Sequence, residues 1–321
     1  MASRGFVLFN NGARMPSIGL GTFQVTKDSI QTVVDYALDI GYRHIDTARS
    51  YGNEADIGKV LDKNLCAGTL KRNDLFVTTK VPRDCLGEKD TERSVRESLD
   101  FLQLNYLDLV LIHAPWGQEP PLPDKTTEEQ KRPAQESFVH YDLLTTWHVL
   151  ENLVRKGLIH SIGLSNFTQR QIERIWQNAK IKPANLQLEC HAYLQQLALR
   201  SYCQQRGIVV TGYSPLGAPD RPEKYRNLDD LHLLSDPVVQ DIAEQLGRAP
   251  AQILLRFLLQ IGVVPVPKST QPRRIAENLQ VFDFSLRQDQ MSQLQALNRN
   301  MKFFRFEQFQ NHPEYFENEE F

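Results

Sequence analysis

The feature that most constrains this chain is an alternation. Short apolar runs at SIGLGTF, YRHIDTA, DLFVTTK, LDLVLIH, IHSIGLS, NLQLEC, GIVVTGYS and GVVPVPKS read as strands, nearly apolar throughout, as parallel strands covered by helices are. Between them SIQTVVDYALDIG, TERSVRESLDFLQ, YDLLTTWHVLENLVRKG, TQRQIERIWQNA, LALRSYCQQRG, VVQDIAEQLG and QPRRIAENLQ carry apolar residues at helical spacing. Eight such units close most simply into an α/β fold of the (β/α)8 barrel kind. An open doubly wound sheet is the other arrangement, but no GxGxxG follows an early strand. No linker or low-complexity segment divides the 321 residues, so 1–321 reads as a single barrel domain.

Ahead of the first unit, VLFN and ARMPSIGL flank Asn11-Gly12, which predicts an N-terminal β-hairpin with a type I′ turn plugging the barrel. Three segments depart from tight connections: residues 115–139, GAPDRPEKYRNLDD after the seventh strand, and the aromatic tail KFFRFEQFQNHPEYFENEEF. They predict long loops at the C-terminal face. The apolar stretch QILLRFLLQIGVVPVP is broken by Arg256, Gln260 and two prolines, which argues against a membrane span.

With 37 Lys and Arg against 39 Asp and Glu, a net charge of −2 gives no broad positive field, so neither nucleic acid nor an anionic membrane is expected as a partner. Four cysteines without a CxxC pair suit a reducing compartment, and the first residues lack the features of a leader. A cytoplasmic protein is expected.

Barrel enzymes place their chemistry at the C-terminal ends of the strands. Here those ends bring Asp46 with Tyr51 beyond it, then Lys80, His113, Ser165 with Asn166, Gln187, Tyr213, and Lys268 with Ser269. A phenol titrates near ~10 and exchanges protons poorly at neutral pH. The charge of Lys80 is expected to lower Tyr51, and Asp46 to hold the lysine protonated. His113 then suits a hydrogen bond to a carbonyl oxygen while Tyr51 supplies the proton, which is chemistry for a carbonyl that receives a hydride.

Other uses compete for these residues. An Asp–Lys pair alone is more often a structural ion pair, and Lys80 or Lys268 would also serve as a Schiff-base lysine. A zinc site needs more ligands than His44 and Asp46, so no metal is expected. At the eighth unit, Lys268, Ser269, Arg273 and Arg274 group where a strand runs into a helix, a setting for a phosphate dianion. Trp116, in the exposed loop after His113, reads as a pocket-lining residue.

These motifs resemble the aldo-keto reductase family along nearly the whole chain: GLGTFQ at 19–24, DTARSYGNE at 46–54, VTTK at 77–80, LVLIH at 109–113, GLSNF at 163–167, GYSPLG at 212–217 and PKSTQPRRIAEN at 267–278. The pattern is similar to aldose and aldehyde reductases and to insect members that reduce oxo-ecdysteroids. The resemblance implies NADPH or NADP+ bound without a Rossmann domain, and a catalytic tetrad of Asp46, Tyr51, Lys80 and His113. It implies that Ser165, Asn166 and Gln187 hold the nicotinamide carboxamide, that Tyr213 stacks on its ring, and that Ser214 and Leu216 reach the pyrophosphate. Lys268, Ser269 and Arg274 would grip the 2′-phosphate, with Arg273 facing solvent, and Glu277 and Asn278 the adenine. Gly21, Thr22 and Asp46 belong to the same cofactor-binding set. The substrate would be a small-molecule carbonyl, an aldehyde or ketone reduced to an alcohol by a monomer.

Some positions depart from well-known members. Val81 and Pro82 follow the tetrad lysine in place of Leu-Trp, Ala114 follows His113, and Phe23 stands where others carry Trp. Phe23, Tyr51, His113, Trp116 and Phe304 would line the substrate pocket, whose thinner aromatic wall leaves room for a steroid-like ketone of the ecdysteroid class. Arg49 has no direction assignable from sequence. Relatives that act as channel subunits or lens crystallins set the alternative: an NADPH-binding barrel that works as a structural or regulatory partner.

Overall fold

The computed structural model describes residues 5–119, 138–221 and 231–315. A hairpin of β1 (Phe6–Leu8) and β2 (Arg14–Pro16) precedes β3 (Leu20–Gly21), α1 (Lys27–Asp39), β4 (His44–Asp46), α2 (Glu54–Cys66), β5 (Phe76–Val81), α3 (Glu88–Leu102) and β6 (Leu107–Ile112). A small antiparallel pair, β7 (Gly117–Gln118) and β8 (Phe138–Val139), leads to α4 (Leu143–Arg155), β9 (Ile159–Ser165), α5 (Gln169–Asn178), β10 (Asn185–Glu189) and α6 (Leu197–Gln205). The chain then forms β11 (Val209–Tyr213), α7 (Pro237–Leu246), α8 (Pro250–Gln260), β12 (Val263–Pro265), α9 (Pro272–Leu279) and α10 (Gln288–Gln295).

Eight strands run parallel in the order β3, β4, β5, β6, β9, β10, β11, β12. The ends of that series meet: the Gly19 N–H donates to Pro265 O at 3.1 Å and the Gly21 N–H to Pro267 O at 3.0 Å, which curls the sheet shut into a (β/α)8 barrel. A Cβ on Gly21 would lie 2.7 Å from Val266 O, so this seam requires a residue without one.

Side chains alternate across the barrel wall. On β6, Val110 and Ile112 join the layer between strands and helices, whereas Leu109 and Leu111 pack in a separate cluster with Phe9, Met15, Phe76, Ala184 and Val264. Phe9 and Met15 come from the hairpin, so the expected plug exists. Its turn differs from expectation. Gly12 N–H donates to Phe9 O and Phe9 N–H to Ala13 O, and of the turn residues Gly12 alone has positive φ, at 83°. A type I turn closed by a left-handed glycine therefore replaces type I′. The Asn11 side chain explains the choice: its Oδ1 accepts from Ala13 N and its Nδ2 donates to His160 O and Ser161 Oγ, tying the turn to β9.

Three further differences concern helices. The expected series has none between the second and third strands, where α2 stands with Ile57, Val60 and Leu61 buried. The sequence predicts one helix between the seventh and eighth strands, over VVQDIAEQLG; α7 stands there, and α8 follows it within the apolar stretch QILLRFLLQIGVVPVP. Ile253, Leu254, Leu255, Phe257 and Leu258 of α8 are all buried, and its polar side is reduced to the narrow line of Gln252, Arg256 and Gln260. α10 also lies beyond the expected series. Among the described residues no helix is long and apolar enough to cross a membrane. Of the three long segments, 120–137, 222–230 and 316–321 lie outside the described residues, while the ends of the first pair as β7 and β8.

Candidate active site

The C-terminal strand ends converge as the barrel requires. Asp46 ends β4, Lys80 is the penultimate residue of β5, His113 follows β6, and Tyr51 ends a single helical turn at Arg49–Tyr51. Lys80 is buried and its ammonium donates three times: to Asp46 Oδ1 at 2.8 Å, to Thr47 O at 2.8 Å and to Tyr51 Oη at 3.3 Å. Those three acceptors use all its hydrogens. The second oxygen of Asp46 accepts from Gln187 Nε2 at 2.6 Å, so the carboxylate is held from β5 and β10 together.

Electrostatics follow from burial. For Lys80, desolvation opposes the charge, but Asp46 and Tyr51 outweigh it and its pKa lies above the usual lysine value. For Tyr51 the balance goes the other way: burial raises the phenol more than Lys80 lowers it. The lowering expected from Lys80 is thus present but overcome, and Tyr51 is a neutral, proton-bearing phenol at ordinary pH. His113 is driven well below the usual histidine value by burial, then by Lys80 and Arg83, so its imidazole is neutral. Its ring lies 5.9 Å from that of Tyr51, and its Nδ1 is 3.4 Å from Ser50 Oγ.

Asn166 organises the opposite side of the mouth. Held at φ 62°, it donates from Nδ2 to His113 O at 2.9 Å and to Ser165 Oγ at 3.2 Å, and its Oδ1 accepts from Tyr213 Oη at 2.8 Å. The left-handed backbone turns the amide inward, and Asn tolerates that conformation better than most residues.

A continuous cavity of about 1120 Å³ opens from the tetrad. Asp46, Tyr51 and His113 line it, and Lys80 lies beneath. Gly21, Thr22, Ser165, Asn166, Gln187, Tyr213, Ser214 and Leu216 form its inner walls. Lys268, Ser269, Arg274, Glu277 and Asn278 form its far end, where Ser269 Oγ accepts from Gln271 N at the start of α9. Phe23, Trp116 and Phe304 face the same space. Every position expected to touch cofactor or substrate, Lys80 apart, thus lines one cavity.

The far end fits a phosphate. Arg273 points outward, 89% exposed and paired with Glu277 at 2.7 Å, whereas Arg274 lines the cavity and pairs with no carboxylate among the described residues. Among the described residues, the carboxylate contact of Lys268 is a 3.8 Å one with the exposed Asp220. Two cations and a hydroxyl at a cavity wall suit a phosphate dianion, and the Ser165, Asn166 and Gln187 groups near the tetrad suit a carboxamide.

The geometry also settles points open in the sequence. Arg49 turns away from the mouth, bonding Glu97 at 2.9 Å and lying 4.4 Å over the Phe101 ring. Trp116 lines the cavity as expected but is buried, with its ring against Phe306 and Phe309, so the exposed-loop reading does not hold at this position. Sequence reasoning missed Thr47, Ser50 and Arg83. Thr47, which acts through its carbonyl, and Ser50, which acts through its hydroxyl, fall inside the DTARSY segment, a signal present in the sequence, whereas Arg83 follows Pro82 in a stretch without a motif.

Comparison with known proteins places this barrel among carbonyl oxidoreductases. The pattern of the Aldo/keto reductase family matches residues 17–299, and the chain belongs to that family, whose cofactor is NADPH/NADP+. It is 46% identical over 301 residues to aldo-keto reductase family 1 member A1 of Rattus norvegicus, covering 92% of this chain and 90% of that one. To the Homo sapiens protein of the same name it is 44% identical over 304 residues, at the same coverage. Among solved structures, the aldose reductase from Schistosoma japonicum superposes with a TM-score of 0.89 at 40% identity, over 99% of this chain and 100% of that one.

Proposed function

We propose that the chain, acting as one barrel domain over 1–321, reduces aldehydes and ketones to alcohols with NADPH, and that Asp46, Tyr51, Lys80 and His113 handle the proton. The observation that carries this reading is the position of Lys80 Nζ, bonded to Asp46 and Tyr51 at the head of a cavity whose far end holds Lys268, Ser269 and Arg274. A buried ion pair gives little stability, because desolvation offsets the attraction. Holding an ammonium against a phenol oxygen is what such a pair accomplishes here.

When bound, NADPH supplies the hydride that reduces the carbonyl carbon. Tyr51 Oη holds the proton, kept on the phenol by burial, and releases it to the substrate oxygen as negative charge develops there. Lys80, donating to the same Oη, stabilises the phenolate left behind. His113, being neutral, retains a ring N–H to donate to the substrate oxygen and adds no charge that would compete with Lys80. Asp46 keeps Lys80 protonated, and Gln187 keeps Asp46 oriented. Lys268, Ser269 and Arg274 would hold the 2′-phosphate, Ser165 and Asn166 the carboxamide, Tyr213 the ring, Ser214 and Leu216 the pyrophosphate region, and Glu277 with Asn278 the adenine.

Phe23, 5.1 Å from the Tyr51 ring, together with Trp116 and Phe304 sets the width available to the substrate. A steroid-like ketone, an oxo-ecdysteroid included, marks the wide end of the range this wall is read to admit. Four cysteines without a disulfide and a balanced charge support a cytoplasmic protein, and family resemblance supports a monomer.

The test is the loss of NADPH absorbance by purified protein with aromatic aldehydes, aliphatic dicarbonyls and steroid ketones, with NADH in parallel. Turnover with NADPH exceeding that with NADH is expected. Tight NADPH binding with silence across the panel would overturn the reading in favour of a partner protein.

A further inference from the structure

Glu189, the last residue of β10, has no part in the proton chemistry, yet it is a fully buried carboxylate. Its Oε1 accepts from the Phe303 N–H at 2.7 Å and lies 2.9 Å from His191 Nε2, and its Oε2 accepts from the Phe304 N–H at 3.0 Å. A buried carboxylate is costly unless its lone pairs are used, and here the chain uses them on the backbone of its own tail, 114 residues further on.

What hangs from those two amides is the substrate wall. Phe303 is buried, with its ring 4.8 Å from His191 and the Arg221 guanidinium 4.5 Å over it. Phe304 turns the other way, lines the cavity and meets Tyr213 edge-on at 6.1 Å. Phe306 stacks on Phe304 and tilts against Trp116. Two residues upstream on the same strand, Gln187 orients Asp46. One strand therefore carries a tie to the proton machinery and a tie to the wall.

We propose that Glu189 is a positioning residue for substrate size: by receiving the N–H groups of Phe303 and Phe304 it fixes where the aromatic wall stands, and so which carbonyl substrates the mouth holds. The inference rests on the carbonyl-reductase reading. Glu189→Gln keeps the shape but turns an NH2 toward N–H donors, which breaks one tie without emptying the site.

Hydrogen exchange reads the tie with no substrate present. In the wild-type protein the Phe303 and Phe304 amides should exchange as slowly as those of β10, and rapid exchange there overturns the proposal before any variant is made. In Glu189→Gln they should exchange at least tenfold faster, with β5 unchanged. The same variant should raise KM for a bulky aromatic aldehyde about fivefold or more, with KM for a two- or three-carbon aldehyde and NADPH affinity staying within twofold. An equal change for both aldehydes, or for neither, overturns the proposal. In a Phe304→Ala background Glu189→Gln should add no further change with the aromatic aldehyde, and an additive effect would place its action elsewhere. A wild-type protein that reduces no aldehyde of either size would sink the reductase reading, whereas the exchange rates alone decide whether the tie exists.

Discussion

His44 and Asp46 are two residues apart on β4 and point the same way, yet they belong to opposite ends of the barrel interior. His44 faces the plugged end, edge-on to Phe76 at 5.1 Å, with Nε2 bonded to Thr78 Oγ1 at 3.0 Å. Burial there drives it down to about 4, so it is neutral. Asp46, one step toward the mouth, is bonded to an ammonium and an amide. At the plugged end burial beside Phe76 removes ionisation; at the mouth a network supports charge and directs it. Burial alone therefore does not determine a group's state. The partners supplied at each depth do.

The largest expected effect tests the mouth. Tyr51→Phe removes the proton and leaves the ring, so turnover should fall on the order of 10³-fold with NADPH affinity within twofold and an unchanged melting temperature. Equal loss of binding and turnover would end the assignment of Tyr51 as the acid.

Its counterpart at the plugged end is Phe9→Ala, which deletes a ring lying edge-on to Phe76 at 5.9 Å. Denaturant unfolding should show a loss of about 3–4 kcal/mol, with kcat and KM retained at 25 °C. A large drop in kcat would show that the two ends are not separate.

His44 sharpens the comparison through pH. Its folded pKa lies below its unfolded one, so the unfolded chain binds the extra proton, and stability is present above about 6.5 and lost as pH falls toward about 4. Across that window His44 should account for ~3 kcal/mol, and His44→Gln should flatten the stability-versus-pH slope there. An unaltered slope would mean that other groups carry it.

The smallest effect lies at the cavity's far end. Arg274→Ala should weaken NADPH roughly tenfold, worth about 1.4 kcal/mol, with NADH unaffected. An unchanged preference between the two would remove Arg274 from the phosphate seat.

Much of this was readable from the chain because barrel strands are short and apolar and their ends deliver side chains to one face. Asp46, Tyr51, Lys80 and His113 could be grouped from their places at consecutive strand ends, and the basic cluster at 268–274 from its position after the last strand, with the family resemblance implying the tetrad. What stayed hidden depended on neighbours remote in sequence. Glu189 acquires its partners 114 residues away. Arg49 turns outward because α3 offers Glu97 and Phe101. Tyr51 is raised and not lowered because the depth of burial is a property of the closed barrel. α8 escaped for a different reason: on a helix buried on most sides the polar stripe narrows, here to Gln252, Arg256 and Gln260, and the apolar run between them masks the period.

The seam where Gly19 and Gly21 bond to Pro265 and Pro267 has a consequence for synthesis on the ribosome. The second neighbour of β3 is made only after about four-fifths of the chain has been translated, so the growing polypeptide carries an unpaired parallel edge until β12 emerges. Residues Lys268 and Ser269 arrive immediately after that strand, so the proposed cofactor seat is completed by the same stretch of chain that ends the exposure. A truncation before β12 would lose the proposed phosphate site and keep the sticky edge, and its fate in a cell would be aggregation or a chaperone.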